Sequence, residues 1–468
     1  MKRILTVLCG ALMCMAVALC LGRADAAEMV NVEYIHNAIK KKWDITVPYN
    51  AALRDPRVAA NMKYLLTAVD VANEMLNGGA TTDYGNGAYA TLAAADTAAT
   101  LAAVETLIKK EKSATFTITT TPNTSTFSFR MSAMGNFTVD WGDGLVEEIA
   151  RTDTTETTYS HTYSTAGEYR IGFDGKATGY IAYAQTAAIS FYDYSGNESL
   201  ARISGSLGKI FPTIGDGSSS DKNPSFYQTF ANCKSLGGTI PENLFSDITG
   251  GTLPMFMFSD TFSGCSGLTG PIPENLFSNI HGAPSIYIFT STFEGCSGLT
   301  GQIPSGLFAG IAGAPVEGMF GRTFAGCSGL TGSIPENFFA GIKGTPQMAM
   351  FAGTFDGCSG LTGEIPSGLF SGISGRSVYG MFPYTFENCS GLTSIGDGLF
   401  GDLSGNDYGD MFVTTFAGCT SLTGPSARTT SGKYLYEIWP DADISAVRKC
   451  YSGATGLSDY ANIPDAWK

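Results

Sequence analysis

The chain has 468 residues, 44% of them hydrophobic and 15% charged, with a net charge of -14. Its mean hydropathy of +0.07 is too high for disorder to be the default, and the length allows several domains. An excess of carboxylates repels phosphate backbones, which argues against nucleic acid as a partner.

Residues 1–26 read as a signal peptide. Lys2 and Arg3 form a basic start, an apolar run follows from Ile4 to Leu21, and Ala24-Asp25-Ala26 gives the small-x-small pattern of a cleavage site. Cleavage is expected after Ala26. A lipid anchor at Cys20 is the rival reading, but Leu19 stands where a small residue is wanted. No later run reaches the ~18 apolar residues of a membrane span. The mature chain is therefore expected to be exported, secreted or held at the cell surface, without a transmembrane segment.

Residues 27–113 predict helices. Met62, Leu65, Leu66, Val69, Ala72, Met75 and Leu76 recur at helical spacing, and Asn77-Gly78-Gly79 stops the run. An Ala-rich stretch from Tyr89 to Lys112 predicts a further helix. The region reads as a bundle that caps or spaces the rest, with an oligomerisation or anchoring element as the sharper alternative.

Character changes at residue 114. Thr115, Thr117 and Thr119 alternate as in a strand, and Asp143-Gly144 marks a hairpin turn. Trp141 is large enough to fill a small sandwich core, and His161 reads as structural. Asp140 and Asp143 read either as calcium ligands or as turn residues, and local hydrogen bonding favours the turn. Asp140-Trp141-Gly142-Asp143-Gly144, followed by His161, Tyr163, Gly167 and Tyr169, resembles the motifs of PKD domains. That resemblance implies an immunoglobulin-like β-sandwich over about residues 114–184, used as an extracellular spacer or binding module.

From residue 185 the chain repeats. Cys233, Cys265, Cys296, Cys327, Cys358, Cys389 and Cys419 follow one another at intervals of 32, 31, 31, 31, 31 and 30 residues. Phe stands three and seven residues before each, Leu three residues after, and Ile-Pro follows in most units. A period of about 20–50 residues marks stacked repeats, because one unit alone cannot bury so many apolar groups. Tyr194, Asn197, Leu200 and Ile203 extend the register at the front; Tyr451, Ala454, Leu457 and Ile463-Pro464 extend it at the back. Phe-x-x-Cys-x-x-Leu resembles the BspA-like leucine-rich repeats of surface proteins. The resemblance implies a leucine-rich-repeat solenoid over residues 185–468, and attachment to a host or cell-surface partner. The expected fold class is thus multidomain: an α-helical region, a PKD-like sandwich, then that solenoid.

The cysteines lack the short spacings of metal sites, and stacked strands hold equivalent Cβ atoms ~4.8 Å apart, too far for the ~3.8 Å of a disulfide. Cys265, Cys296, Cys327, Cys358 and Cys389 are read as buried packing thiols, and Cys450, out of register, as a free thiol. No catalytic constellation is visible among the three histidines, His36, His161 and His281, and no cofactor or metal is expected. What varies between units is the pair before Thr-Phe. Asp260, Ser291, Arg322, Tyr384 and Thr414, with Tyr287 and Tyr379 nearby, are the candidate ligand-binding residues; an unselective solvated face is the alternative. The expected role is non-catalytic binding of a protein or glycan at the cell surface. Accessory carbohydrate binding linked to polysaccharide breakdown is the second reading. The oligomeric state stays open.

Overall fold

The computed structural model describes residues 114–468 apart from 183–184, 193–196, 377, 402, 405–408 and 440–443. The signal peptide and the helices expected over 27–113 lie outside the described residues.

The first eight strands are β1 (Phe116–Thr120), β2 (Thr124–Met131), β3 (Met134–Asp140), β4 (Val146–Arg151), β5 (Thr157–Gly167), β6 (Arg170–Gly179), β7 (Ile189–Ser190) and β8 (Leu200–Gly205). They form two antiparallel sheets, ordered β4-β3-β6-β1-β8 and β5-β2-β7. Inward residues alternate, as in Phe127, Phe129 and Met131 of β2. The sheets meet where Phe129 packs edge-on against Phe173, with ring centroids 5.1 Å apart. β8 pairs with β1, so residues 200–205, which the repeat register assigned to the array, belong to a sheet of the first region.

The array that follows is built differently. Around Cys265, the N–H groups of Phe258, Asp260 and Phe262 donate to carbonyls of Ile288, Thr290 and Thr292 in the next unit, each at 2.9 Å. Between them, the N–H groups of Ser259, Thr261, Ser263 and Cys265 turn back onto the carbonyls three residues earlier. Every second N–H therefore closes a tight turn and every other one bonds to the neighbouring unit. The geometry requires a left-handed residue every fourth position, met at Phe256 (φ 56), Asp260 (φ 54) and Gly264 (φ 74). It also sends Phe258, Phe262, Cys265 and Leu268 inward, all with no exposure.

This arrangement corrects the expected fold class. Helices among the described residues are confined to α1 (Leu207–Ile210), α2 (Leu435–Ile438), α3 (Ile444–Val447) and a few single 3-10 turns. The larger sheets are antiparallel and belong to the first region. The repeats do not wind into a closed leucine-rich-repeat solenoid with a continuous sheet. Parallel pairing between units shrinks to β9 (Gly250–Thr252) with β10 (His281–Ala283), β11 (Gly363–Ile365) with β13 (Leu392–Ile395), β12 (Gly375–Arg376) with β14 (Leu403–Ser404), and single bridges such as Gly301 to Leu330. The physical reason is spacing. A strand presents every second side chain to one face, whereas Phe262, Cys265 and Leu268 are all buried at intervals of three, which tight turns accommodate and a strand does not.

Packing between units compensates for the sparse sheet. Phe258, Phe289, Phe320, Phe351 and Phe382 stack with centroids 5.7–5.8 Å apart and planes within 7°. Phe262, Phe293, Phe324, Phe355 and Phe386 form a second column at 5.6–5.7 Å. A third, including Phe277 and Phe308, wedges against the first, as Phe277 does to Phe258 at 4.6 Å. Burial of each ring contributes about 1.5–3 kcal/mol. The thiols lie alongside. Cys265 Sγ donates to the Phe230 carbonyl of the preceding unit at 2.9 Å, and Cys296, Cys327, Cys358 and Cys389 make the same bond at 3.0 Å. Burial pushes these thiols well above their usual range, so they keep the proton they donate.

Both ends of the stack are covered. At the front, Phe191 stacks on Phe230 at 5.4 Å; Tyr194, expected in that role, lies outside the described residues. Asn197 is buried and its Nδ2 donates to the Phe191 carbonyl at 2.8 Å. At the back, Tyr451 stacks on Phe416 at 5.3 Å and Trp467 lies 6.1 Å from Phe412. Cys450 is a free, buried thiol. Its carbonyl accepts from Phe416 N–H at 2.8 Å, the bond Thr415 makes to Phe386, so Cys450 occupies the position that Thr holds in the other units.

Candidate functional face

The turn segment that carries each Phe-x-x-x-Phe-x-x-Cys phrase buries one side and presents the other. Five residues before the cysteines stand Gln228, Asp260, Ser291, Arg322, Gly353, Tyr384 and Thr414, with φ values of 49–63°. One residue before the cysteines the backbone is also left-handed, and there Gly or Asn stands each time: Asn232, Gly264, Gly295, Gly326, Gly357, Asn388 and Gly418. A third column nine residues before the cysteines, from Phe256 and Tyr287 to Asp410, shares the conformation, but only the column next to the cysteines uses throughout the residues that adopt it cheaply. Holding a larger side chain there costs about 1 kcal/mol or more.

Five of the seven sequence candidates thus fall in a single column: Asp260, Ser291, Arg322, Tyr384 and Thr414. Tyr287 and Tyr379 sit beside it, nine and ten residues before their cysteines. Ser291 is only 6% exposed, so the column is not uniformly open; Tyr379 and Tyr384 are 51% and 38% exposed. The variability of Ser291 gave no sign of its burial, which depends on how the flanking units close over it.

Several of these groups reach into a neighbouring unit. Arg322 Nε and Nη2 donate to Glu294 Oε1 at 2.8 and 2.6 Å, and Nη1 reaches Asp356 Oδ2 at 3.9 Å. A Cβ on Gly353 would come within 3.2 Å of the Arg322 side chain, so the glycine leaves room for it. Tyr287 stacks on Phe256 at 5.1 Å and donates its hydroxyl to Glu317; a Cβ on Gly318 would collide with its ring. The Tyr379 hydroxyl donates to Asp410 Oδ2 at 2.5 Å, and Thr414 Oγ1 donates to Glu387 Oε2 at 3.0 Å.

Glu294, Asp356 and Glu387 stand two residues before Cys296, Cys358 and Cys389, with Ala325 at that position in the unit between the first two; the sequence reading passed over this column, and the recurring acid was the available signal. Burial raises the Asp356 and Glu387 carboxyls above their ordinary range; neighbouring carboxylates add to it, while Arg322 and hydrogen bonds from Asn388 and Thr414 oppose it. Asp260 is pushed up to about 6, first by burial and then by the charge of Glu294, against a hydrogen bond from Ser259. The Arg322 guanidinium is held more firmly protonated by Glu294. The face therefore carries crowded negative charge with one central cation.

A second polar cluster lies in the first region. His161 Nε2 and Asp143 Oδ2 are 2.7 Å apart, Trp141 stacks on His161 at 5.1 Å, and the Tyr163 hydroxyl donates to the Trp141 carbonyl at 2.8 Å. Asp143 Oδ1 accepts from Leu145 N–H and Asp140 Oδ1 from Gly142 N–H, the bonds of a turn. Among the described residues no group of three or more His, Cys, Asp or Glu is placed to hold a metal ion. No helix of the described residues is long and apolar enough to cross a membrane.

No family model matches the chain. No curated protein and no solved structure matches it either.

Proposed function

We propose that this is a non-catalytic binding protein of the cell surface, exported through its N-terminal segment, and that it engages a protein or glycan through the turn face centred on Arg322 and Tyr384. The observation that carries this reading is the contrast between the left-handed column five residues before the cysteines and the one directly before them. Where side chains serve no purpose, Gly and Asn relieve the backbone. In the column of Asp260, Arg322 and Tyr384, charged and aromatic groups persist at an energetic cost, as is common where a surface has a task. A shared backbone also sets these groups one unit apart, which suits a long ligand laid across several units.

The test sets the exported chain against an array of glycans and a panel of matrix proteins, alongside the Arg322→Ala/Tyr384→Ala double variant. The reading expects at least one ligand, and a loss of affinity of about tenfold or more in the variant with an unchanged circular dichroism spectrum. Binding that survives the double substitution intact would place the interaction elsewhere.

A further inference from the structure

The face described above has a chemically distinct sector. Among the described residues six large hydrophobic side chains are exposed, and three of them, Met348, Tyr379 and Tyr384, lie on two neighbouring units. Met348 and Tyr379 hold the same position in those units, and the Ala349 N–H bonds to the Tyr379 carbonyl at 3.4 Å. Tyr384 follows five residues on, where Gly353 N–H meets the Pro383 carbonyl at 2.8 Å. Asp410 holds the Tyr379 hydroxyl, which fixes the ring at the surface.

Carboxylates edge this patch. Asp356 and Glu387 belong to the same two units, joined by the Gly357 N–H to Glu387 carbonyl bond of 2.7 Å, and Asp410 closes the far side. The nearby cation is shared, since Arg322 makes two short bonds to Glu294 and also pairs with Asp356 at 3.9 Å. The sequence from 226 to 424 holds only four Lys or Arg, namely Lys234, Arg322, Lys343 and Arg376, against fourteen Asp or Glu. The single guanidinium does not balance this excess of carboxylates, so an incoming positive charge would be attracted where a neutral sugar would not. A Lys or Arg side chain also suits the patch, because its apolar stem can lie on Met348 while its charge sits over a tyrosine ring.

We infer that the sector formed by Met348, Tyr379 and Tyr384, edged by Asp356, Glu387 and Asp410, docks a basic polypeptide segment rich in Lys or Arg. The inference rests on the binding role proposed for this face, and narrows its partner to one chemical class. Association would be salt-sensitive, because exposed charges are screened within about 8 Å at physiological ionic strength.

The experiment uses the exported chain and three labelled probes: a lysine-rich peptide, a glutamate-rich peptide of the same length, and a neutral glucan oligosaccharide. Fluorescence anisotropy should show binding of the lysine-rich peptide alone, falling as salt rises. The Asp356→Asn/Glu387→Gln variant, which changes charge with little change of shape, should weaken it about tenfold, and Tyr379→Ser should do likewise. Glu336→Gln/Glu364→Gln, on the other corners of the units, should leave it unchanged. Equal loss in that control pair would show generic attraction to an acidic chain and overturn the inference. So would equal binding of the glutamate-rich peptide, or none of the lysine-rich one. Glucan binding lost in Arg322→Ala/Tyr384→Ala, with the lysine-rich peptide ignored, would overturn the basic partner while leaving the binding face standing.

Discussion

The two described regions bury similar side chains by different means. In the first, strands such as β2 and β6 bring together residues far apart in sequence, and the rings meet at mixed angles: Phe129 is edge-on to Phe173 but nearly parallel to Tyr159. In the array, tight turns repeat one arrangement, and each ring meets its equivalent one unit away with planes within a few degrees. The first core depends on long-range pairing and the second on nearest neighbours. The second can therefore keep its interior constant while its outward positions change from unit to unit.

The largest expected effect probes that difference. Phe351→Ala removes a ring from the middle of the first column, where it touches Phe320, Phe339, Phe370 and Phe382. It should cost about 3–5 kcal/mol and, because coupling runs only between neighbours, split or broaden the array's urea transition. Trp141→Ala should cost a similar amount in the first region without broadening the array's transition. One sharp transition of equal loss in both variants would erase the distinction.

A smaller effect concerns charge. The folded Asp260 carboxyl titrates at about 6 against an ordinary 3.8, so between those values the folded state binds more protons than the unfolded one. Stability from this group is present below pH ~4 and is lost as pH rises through ~6. Asp260→Asn should remove that slope and stabilise the protein at pH ~7 by roughly 1–2 kcal/mol, allowing for partial exposure, with little charge effect near pH ~3.5. Thermal denaturation at the two pH values checks the sign.

The smallest sharpens the contrast between the left-handed columns. Thr414 is β-branched at φ 49°, so Thr414→Gly should relieve strain and raise stability by a few tenths to about 1 kcal/mol, net of the entropy glycine adds to the unfolded chain. A loss of stability measured by urea titration would mean that its bond to Glu387 outweighs the strain.

Legibility followed periodicity. The buried Phe, Cys and Leu positions can be listed from spacing alone, because stacking demands that like residues recur. The backbone between them differs from the strands that a leucine-rich resemblance implies, although the intervals of three from Phe to Cys to Leu already fit turns better. The candidate column was legible as variation, but the left-handed conformation that gives it meaning was not, since Arg322 and Tyr384 carry no turn signature of their own. The Asp356 and Glu387 column was missed because single acids in different units look unrelated until the units are set side by side.

Sequence by itself determined the period, the composition of the interior and the acidity of the surface, since each depends on residue type and spacing. The tertiary structure alone decided that alternate N–H groups turn back on their own unit, that Ser291 is covered while Tyr384 is open, and that β8 joins the first region's sheet. Each of these outcomes depends on which distant backbone supplies a hydrogen-bond partner, and no local pattern of side chains encodes that choice.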